Sequence, residues 1–225
     1  MLWPTITTAV ALVVLVSLGV WQLDRLGQKK AILADIEAGL AAEPRPLPPV
    51  IDKPDAWSFR PVIVTGILEH DREVFLYAPN LQGQVGYHVL TPLVRDQGSP
   101  VLVDRGWVPV DRKAAGTRSE GRIAGSVTLA GIARVPEMPG PFIPDPDRDE
   151  RVWFAVDLES IASMMGLDLA PVIVQADDSP NPGGFPVGGQ TRIDIPNNHL
   201  DYALTWFGLA VALTVIFVVY WRRRR

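Results

Sequence analysis

The sequence predicts a membrane α+β protein, in which two transmembrane helices flank a β-rich, antiparallel, barrel-like domain with one or two short helices. Two apolar segments, 5–23 and 203–221, each contain 19 residues without a charged side chain. At about 1.5 Å per residue, each forms a helix of roughly 28 Å, close to the ~30 Å core of a bilayer. Between them lie seven short segments with the composition of strands. No long helical pattern separates these segments, which favours an antiparallel sheet over a parallel, doubly wound one.

The first apolar segment is interpreted as a retained anchor rather than a cleaved signal peptide. No charged side chain precedes it, and no A-x-A-like cleavage site follows it. An apolar stripe over Leu26–Ala42 predicts that the helix continues beyond the membrane. Five prolines in residues 43–54 then indicate an extended spacer. The predicted regions are an N-terminal transmembrane anchor (1–23), a juxtamembrane helix with a Pro-rich spacer (24–56), a β-rich domain (57–202), a C-terminal transmembrane helix (203–221) and a basic tail (222–225).

The β-rich region is divided by turn-forming residues into strands and one helix. Asp157 is a suitable N-cap and Gly166 a suitable stop for a helix over Asp157–Gly166. In the triplet Arg105–Gly106–Trp107, the glycine predicts a bulge or a close backbone approach, and the tryptophan is expected to cover one end of a barrel. The predicted strands are Arg60–Glu69, Glu73–Ala78, Gly86–Val94, Pro100–Val110, Gly125–Arg134, Arg151–Ala155 and Pro171–Gln175.

Charge and composition restrict the topology and the possible functions. Basic residues follow both spans, so the positive-inside preference conflicts at the two ends; a loop of about 180 residues translocates largely regardless of charge, which favours both termini inside and the middle outside. Residues 24–202 carry 17 basic and 25 acidic side chains, a net charge of −8, which argues against nucleic-acid binding. The chain contains no cysteine, which excludes disulfides, a thiolate nucleophile, an iron–sulfur cluster and covalent CxxCH haem.

The start of the second span holds the candidate site. His199, Tyr202 and Trp206 are spaced i, i+3, i+7, which predicts one helical face. An imidazole beside two aromatic rings is suited to a flat, metal-containing ligand, because histidine is a common axial ligand of haem iron and rings stack on a macrocycle. The alternative is structural: Trp and Tyr are enriched at membrane interfaces, and a histidine at a helix start also serves as a polar cap.

Several motifs occur in the order found in a known family. They are Trp21–Gln22 with Arg25, FRPV…G at Phe59–Gly66, Tyr87 with Thr91–Pro92, DRGWVP at Asp104–Pro109, DL at Asp157, GGQTR at Gly188–Arg192 and NNHLDYALTWFGLA at Asn197–Ala210. Together they resemble the surfeit locus protein one family of cytochrome c oxidase assembly factors, from about Val20 to Phe217. The last motif is the specific one. No transit peptide precedes the first span, so the resemblance is to the bacterial form.

The resemblance implies a multi-pass protein of the bacterial inner membrane, with both termini cytoplasmic and the central domain periplasmic. It implies a non-enzymatic role in building haem–copper oxidases, with haem a as a transient cofactor and with the oxidase catalytic subunit and other assembly factors as partners. In bacterial members the histidine of the H-L-x-Y-x-x-T-W motif is linked to haem binding, and here it is His199. Tyr202 and Trp206 are added as pocket residues from their shared face. The second axial ligand stays open.

Two other functions compete with haem handling. A scaffold would hold an oxidase subunit without touching cofactor, and its membrane-edge residues would be protein contacts. A membrane-anchored hydrolase would need His70 or His88 beside an acid and a serine, but no motif brings such residues together. The haem hypothesis predicts loss of haem on acidification, because ligation needs the neutral imidazole that dominates above a pKa of about 6.5.

Overall fold

The computed structural model describes residues 2–191 and 197–223. The chain divides into two units: one is formed by Met1–Glu37 with Asp194–Arg225, and the other is Ala38–Ile193. Arg192 of the GGQTR segment and two arginines of the predicted basic tail, Arg224 and Arg225, lie outside the described residues. Within the described residues the α-helices and strands are α1 (Leu2–Leu40), β1 (Arg45–Pro46), β2 (Arg60–Leu68), β3 (Val74–Tyr77), β4 (Gly86–Val94), β5 (Val101–Pro109), β6 (Ser126–Arg134), β7 (Val152–Trp153), α2 (Leu158–Met165), β8 (Ile173–Ala176) and α3 (His199–Arg223).

The two terminal helices are long and apolar enough to cross a membrane. Their most apolar windows have mean hydropathies of 2.1 and 2.2, which is consistent with a membrane protein. Helix α1 runs without interruption through the first apolar segment and the predicted juxtamembrane helix. It ends at Leu40, shortly before the Pro-rich segment in which a helix cannot continue.

Five strands of the Ala38–Ile193 unit close into a barrel in the order β2–β6–β8–β5–β4 and back to β2. Strand β2 pairs with β6 along almost its whole length and with β4 at its end, through Ile67↔Val94 and Leu68↔Leu93. This double pairing joins the first and last of the five strands, β2 and β4, while β1, β3 and β7 extend the sheet beyond them. The predicted fold class, two apolar helices flanking a barrel-like β-rich domain, is therefore confirmed.

Most strand pairs are antiparallel, but three pairs are parallel: β1 with β2, β3 with β7, and β5 with β8. A parallel pair needs a long crossover instead of a hairpin, and more than 60 residues separate the end of β5 from the start of β8. Strand β1 lies in the segment predicted to be only a spacer. It is two residues long and lies at the sheet edge, where Pro46 is tolerated.

Strand β5 is buried on both faces and separates two hydrophobic clusters. Val101 and Val103 belong to a cluster formed with residues of β2, β4, β6 and β8. Leu102 points the other way and packs with Trp153 and with Ile161 of α2. The alternation of side chains along a strand explains this division. The apolar run Val101–Val103, which has no polar face, is the signature expected for a strand that is buried on both sides.

Two local predictions from the sequence are confirmed. The Asp157 carboxylate accepts a hydrogen bond from the Ser160 amide at 3.0 Å at the start of α2, and Gly166 ends the helix with a φ of 64°. Gly106 has a φ of 117°, and a Cβ atom there would lie 2.1 Å from the Val187 carbonyl oxygen. The register between β4 and β5 also shifts at this point, so both predicted roles of the glycine, bulge and close approach, occur together.

Candidate functional site

The two terminal helices pack against each other in antiparallel orientation. Gln22 of α1 contacts His199 of α3, and Gly19, one turn earlier in α1, lies against Phe207, two turns later in α3. A Cβ atom on Gly19 would lie 2.7 Å from two ring carbons of Phe207, so any larger residue there requires the ring or the helices to shift. Small residues at such contacts are typical of helices that associate within a membrane.

One stripe of α3 forms the packed seam. The positions that are less exposed than their neighbours alternate in steps of four and three, which is the spacing of coiled-coil-like packing. Ala203 and Ala210 are the most buried of them, at 1% and 7% exposure. The seam positions are His199, Ala203, Trp206, Ala210, Leu213, Phe217 and Tyr220, and the partly buried Phe207 and Trp221 lie directly beside them.

The three predicted site residues occupy different parts of this helix surface. His199 and Trp206 are half-buried on the seam, whereas Tyr202 is 56% exposed. At 100° per residue, Tyr202 lies about 60° around the helix from His199, at the flank of the seam. The seam thus carries an imidazole and an indole on one face, two helical turns apart, with the phenol at its flank. Their assignment as ligand-binding residues stays a prediction.

The imidazole of His199 is held through one of its two nitrogens. Its Nδ1 lies 2.7 Å from Oε1 of Gln22, a side chain that is only 9% exposed. An amide oxygen only accepts hydrogen bonds, so in the neutral imidazole Nδ1 carries the proton and the lone pair is on Nε2. Among the described residues, Nε2 has no hydrogen-bond partner. Metal-ligating histidines characteristically donate their second ring N–H in this way.

The donor set suits an iron that brings its own equatorial ligands. No cluster of three or more His, Cys, Asp or Glu side chains suited to a bare metal ion occurs in residues 2–191 and 197–223. A haem needs only an axial ligand from the protein, and a single imidazole supplies one. Two residues before His199, the Oδ1 atom of Asn197 is buried without a partner. The residues present therefore fit a haem better than a free ion.

The other two histidines are fixed inside the barrel unit. Nδ1 of His88 lies 2.9 Å from the Asp104 carboxylate, and the two residues are 6% and 4% exposed. A second oxygen of Asp104 accepts a hydrogen bond from the Gly106 amide. The pair has the form of a base and its orienting acid, but it is buried in the β4–β5 bulge rather than presented in a cleft, which favours a structural role.

His70 lies against a buried arginine. Its Nε2 donates to the Ile123 carbonyl at 3.1 Å, and its Nδ1 lies 3.3 Å from a guanidinium nitrogen of Arg105, which is 2% exposed. Burial lowers the pKa of His70, and the nearby positive charge of Arg105 adds to this. Burial also lowers the pKa of Arg105 to about 10. A neutral His70 accepts from the arginine, so this cluster joins the bulged strand to its neighbouring loops.

A cleft of about 540 Å³ next to this cluster is lined by side chains of both charges. Its cations are largely neutralised by pairing: Lys113 with Glu150 at 2.7 Å, and Arg122 with Asp71 at 2.6 Å. The Arg122 guanidinium holds the pKa of Asp71 below its usual range. Five acidic and three basic side chains line the cleft, so it has no excess of positive charge with which to select an anionic ligand.

Gln22 is the site residue to which the sequence assigned no role. It lies at the end of an apolar segment, between Trp21 and Leu23. A single amide at that position is typical of a residue at the membrane–water interface. Its partner is 177 positions away. The available signal was its position: a polar side chain on a membrane helix usually faces a neighbouring helix rather than lipid.

The fold defines the class of protein: a domain with a closed five-stranded barrel, preceded and followed in the chain by helices long enough to cross a membrane. Residues 9–211 match the family model of the SURF1 family, and the chain belongs to that family. It is similar to Surfeit locus protein 1 of Mus musculus, with 35% identity over 92% of this chain and 72% of that protein. The protein of the same name from Homo sapiens is 34% identical over 89% and 71% of the two chains. A SURF1-like protein of Rickettsia conorii is 32% identical over 93% and 88%.

Proposed function

We propose that this protein is an assembly factor for haem–copper cytochrome c oxidase, which binds haem a at the helix pair and assists its insertion into the catalytic subunit. Membership of the SURF1 family supports the role in oxidase assembly. The observation that carries the haem assignment is the His199 imidazole, which has Nδ1 engaged by Gln22 and an Nε2 without a described partner. Haem a is cargo in this proposal, and the protein carries out no chemical conversion on it.

Three residues of α3 have a defined part in this proposal. His199 holds the iron through Nε2, and Trp206, on the same seam, offers a ring face or edge to the macrocycle. Tyr202, at the flank, offers a hydroxyl and a ring where the seam opens. The terminal helices keep these groups in an apolar environment that suits a hydrophobic cofactor. None of these roles requires a residue of the barrel.

The proposed location is the bacterial inner membrane, with both termini in the cytoplasm and the barrel in the periplasm. Arg222 and Arg223 at the end of α3 support this orientation through the positive-inside preference. The partners in the proposal are the oxidase catalytic subunit and other assembly factors. In this arrangement the His199 end of α3 lies at the periplasmic side of the bilayer.

The second candidate function is a scaffold that binds oxidase subunits without touching cofactor. One observation favours it: Met138 and Phe142, on the connection between β6 and β7, are 91% and 96% exposed. Large apolar side chains so exposed are common at protein contacts. A scaffold would use this surface whether or not haem is present.

The test is the absorption spectrum of the full-length protein purified from cells that synthesise haem a. The wild type is expected to carry a haem a band, and His199→Ala is expected to lose it. Leu200→Ala, which changes the next residue of α3 at 47% exposure, is the matched control and should keep the band. Wild-type protein without haem, or equal haem in His199→Ala, contradicts the assignment. Recovery of the oxidase subunit from haem-a-deficient cells with undiminished yield would favour the scaffold.

A further inference from the structure

Gln22 is a buried amide at a place where an apolar side chain would suffice for packing. It lies on the face of α1 that meets α3, one turn from the close contact of Gly19 with Phe207. Only 9% of it is exposed, and its one hydrogen bond among the described residues goes to His199. A buried polar group costs stability unless it is hydrogen-bonded, so this pair is a specific feature of the helix interface.

The contact selects one form of the imidazole. A neutral histidine carries a single N–H, on either nitrogen. Because Gln22 presents its carbonyl oxygen at 2.7 Å from Nδ1, the Nδ1–H form is stabilised and the Nε2–H form loses this hydrogen bond. Only the Nδ1–H form leaves a lone pair on Nε2, the nitrogen without a described partner.

We propose that Gln22 is a positioning residue, which holds His199 in the Nδ1–H form and in a fixed ring orientation so that Nε2 can bind haem iron. This inference rests on the proposed function. It makes the first transmembrane helix part of the site, although that helix supplies no iron ligand. Removing a hydrogen bond to a ligating histidine typically reduces metal affinity by about 10–100-fold.

The tautomer is measured first, in the haem-free full-length protein in detergent, by ¹⁵N NMR of labelled histidine at a pH near 8. The chain has three histidines, and the His199 signals are identified by their loss in His199→Ala. Wild-type His199 is expected in the Nδ1–H form, and Gln22→Met, which keeps the length of the side chain without the acceptor, is expected to shift it toward the Nε2–H form. A wild-type His199 in the Nε2–H form overturns the inference.

Titration with ferric haem a then measures the effect on binding. Gln22→Met is expected to weaken binding by about 10–100-fold. Gln22→Glu keeps an acceptor and is expected to bind within about threefold of wild type, with a more negative reduction potential, because a carboxylate makes the imidazole a stronger donor. Gln28→Met makes the same substitution at an exposed position of α1 and should change neither quantity.

The outcomes separate this inference from the proposed function. If His199→Ala loses haem while Gln22→Met keeps both the affinity and the potential of wild type, the iron ligand stands and the role of Gln22 is wrong. If His199→Ala binds haem like wild type, both the proposed iron ligand and the proposed role of Gln22 are wrong. Circular dichroism of each variant verifies that the helices are intact, and the Gln22→Glu rescue shows that the loss follows the acceptor and not the packing.

Discussion

Replacing Gly19 by alanine tests whether the close approach of the two helices controls the candidate site. The new Cβ atom would lie 2.7 Å from two ring carbons of Phe207. Carbon atoms in contact lie about 3.5–4.0 Å apart, so the helices or the ring must move by roughly 1 Å. If the helices separate by that amount, the 2.7 Å contact between His199 and Gln22 lengthens to about 3.7 Å, beyond hydrogen-bond range. We expect ferric haem a to bind about tenfold more weakly.

The assay is the same haem titration of purified full-length protein, and the chain offers matched controls. Gly27 in α1 and Gly208 in α3 have nothing within 4 Å of an added Cβ atom, so Gly27→Ala and Gly208→Ala should bind haem like wild type. A double variant tests the cause: combining Gly19→Ala with Phe207→Ala removes the ring with which the new methyl group would clash. The double variant should recover most of the lost affinity.

Two results would refute this reasoning. Wild-type affinity in Gly19→Ala would mean that the Phe207 ring turns aside and the helices do not move. Equal weakening of haem binding in Gly208→Ala would mean that any added methyl group on these helices disturbs the protein. The contact between Gly19 and Phe207 would then have no specific role in haem binding.

Two further predictions concern the barrel unit. Arg118→Met should lower the free energy of unfolding by about 3–5 kcal/mol, because it leaves the 7%-exposed carboxylate of Glu73 without its buried partner. The double variant Arg118→Met with Glu73→Gln should recover part of this loss. Urea unfolding of the wild type, the single variant and the double variant measures both effects. Because the pKa of His70 is lowered in the folded protein, the unfolded chain binds more protons than the folded chain below pH ~6.5. The contribution of the neutral His70 to stability is therefore complete above that pH and is lost as the pH falls. Thermal midpoints between pH 5 and 8 should therefore fall less steeply on acidification in His70→Gln than in wild type, and parallel profiles would contradict the assignment.

The elements of this fold were predictable because their signals are local. The two long apolar helices follow from uncharged runs of sufficient length. Each longer strand lies within one or two residues of its predicted bounds, at the turn residues that flank it. Helix α2 was predicted from its caps, Asp157 and Gly166, which the structure uses in those roles. The bulge or close approach at Gly106 was predictable because the residues around it have the composition of a strand.

The pairings between distant parts of the chain were not predictable. Nothing in Ile173–Ala176 indicates that β8 pairs in parallel with β5, because register and direction depend on where a long crossover returns the strand. The hydrogen bond of Gln22 with His199 is another such pairing. The helical spacing placed His199, Tyr202 and Trp206 on one side of α3, but it could not show which of them meet α1, because that depends on the neighbouring helix.

The position of β8 has a consequence for synthesis of the chain. This strand lies between β5 and β6, which precede it and do not pair with each other. A nascent or truncated chain that ends between Arg134 and Ile173 therefore exposes two unsatisfied backbone edges, to which a strand of another molecule can add. Premature termination within that interval should yield aggregates rather than a partly working protein.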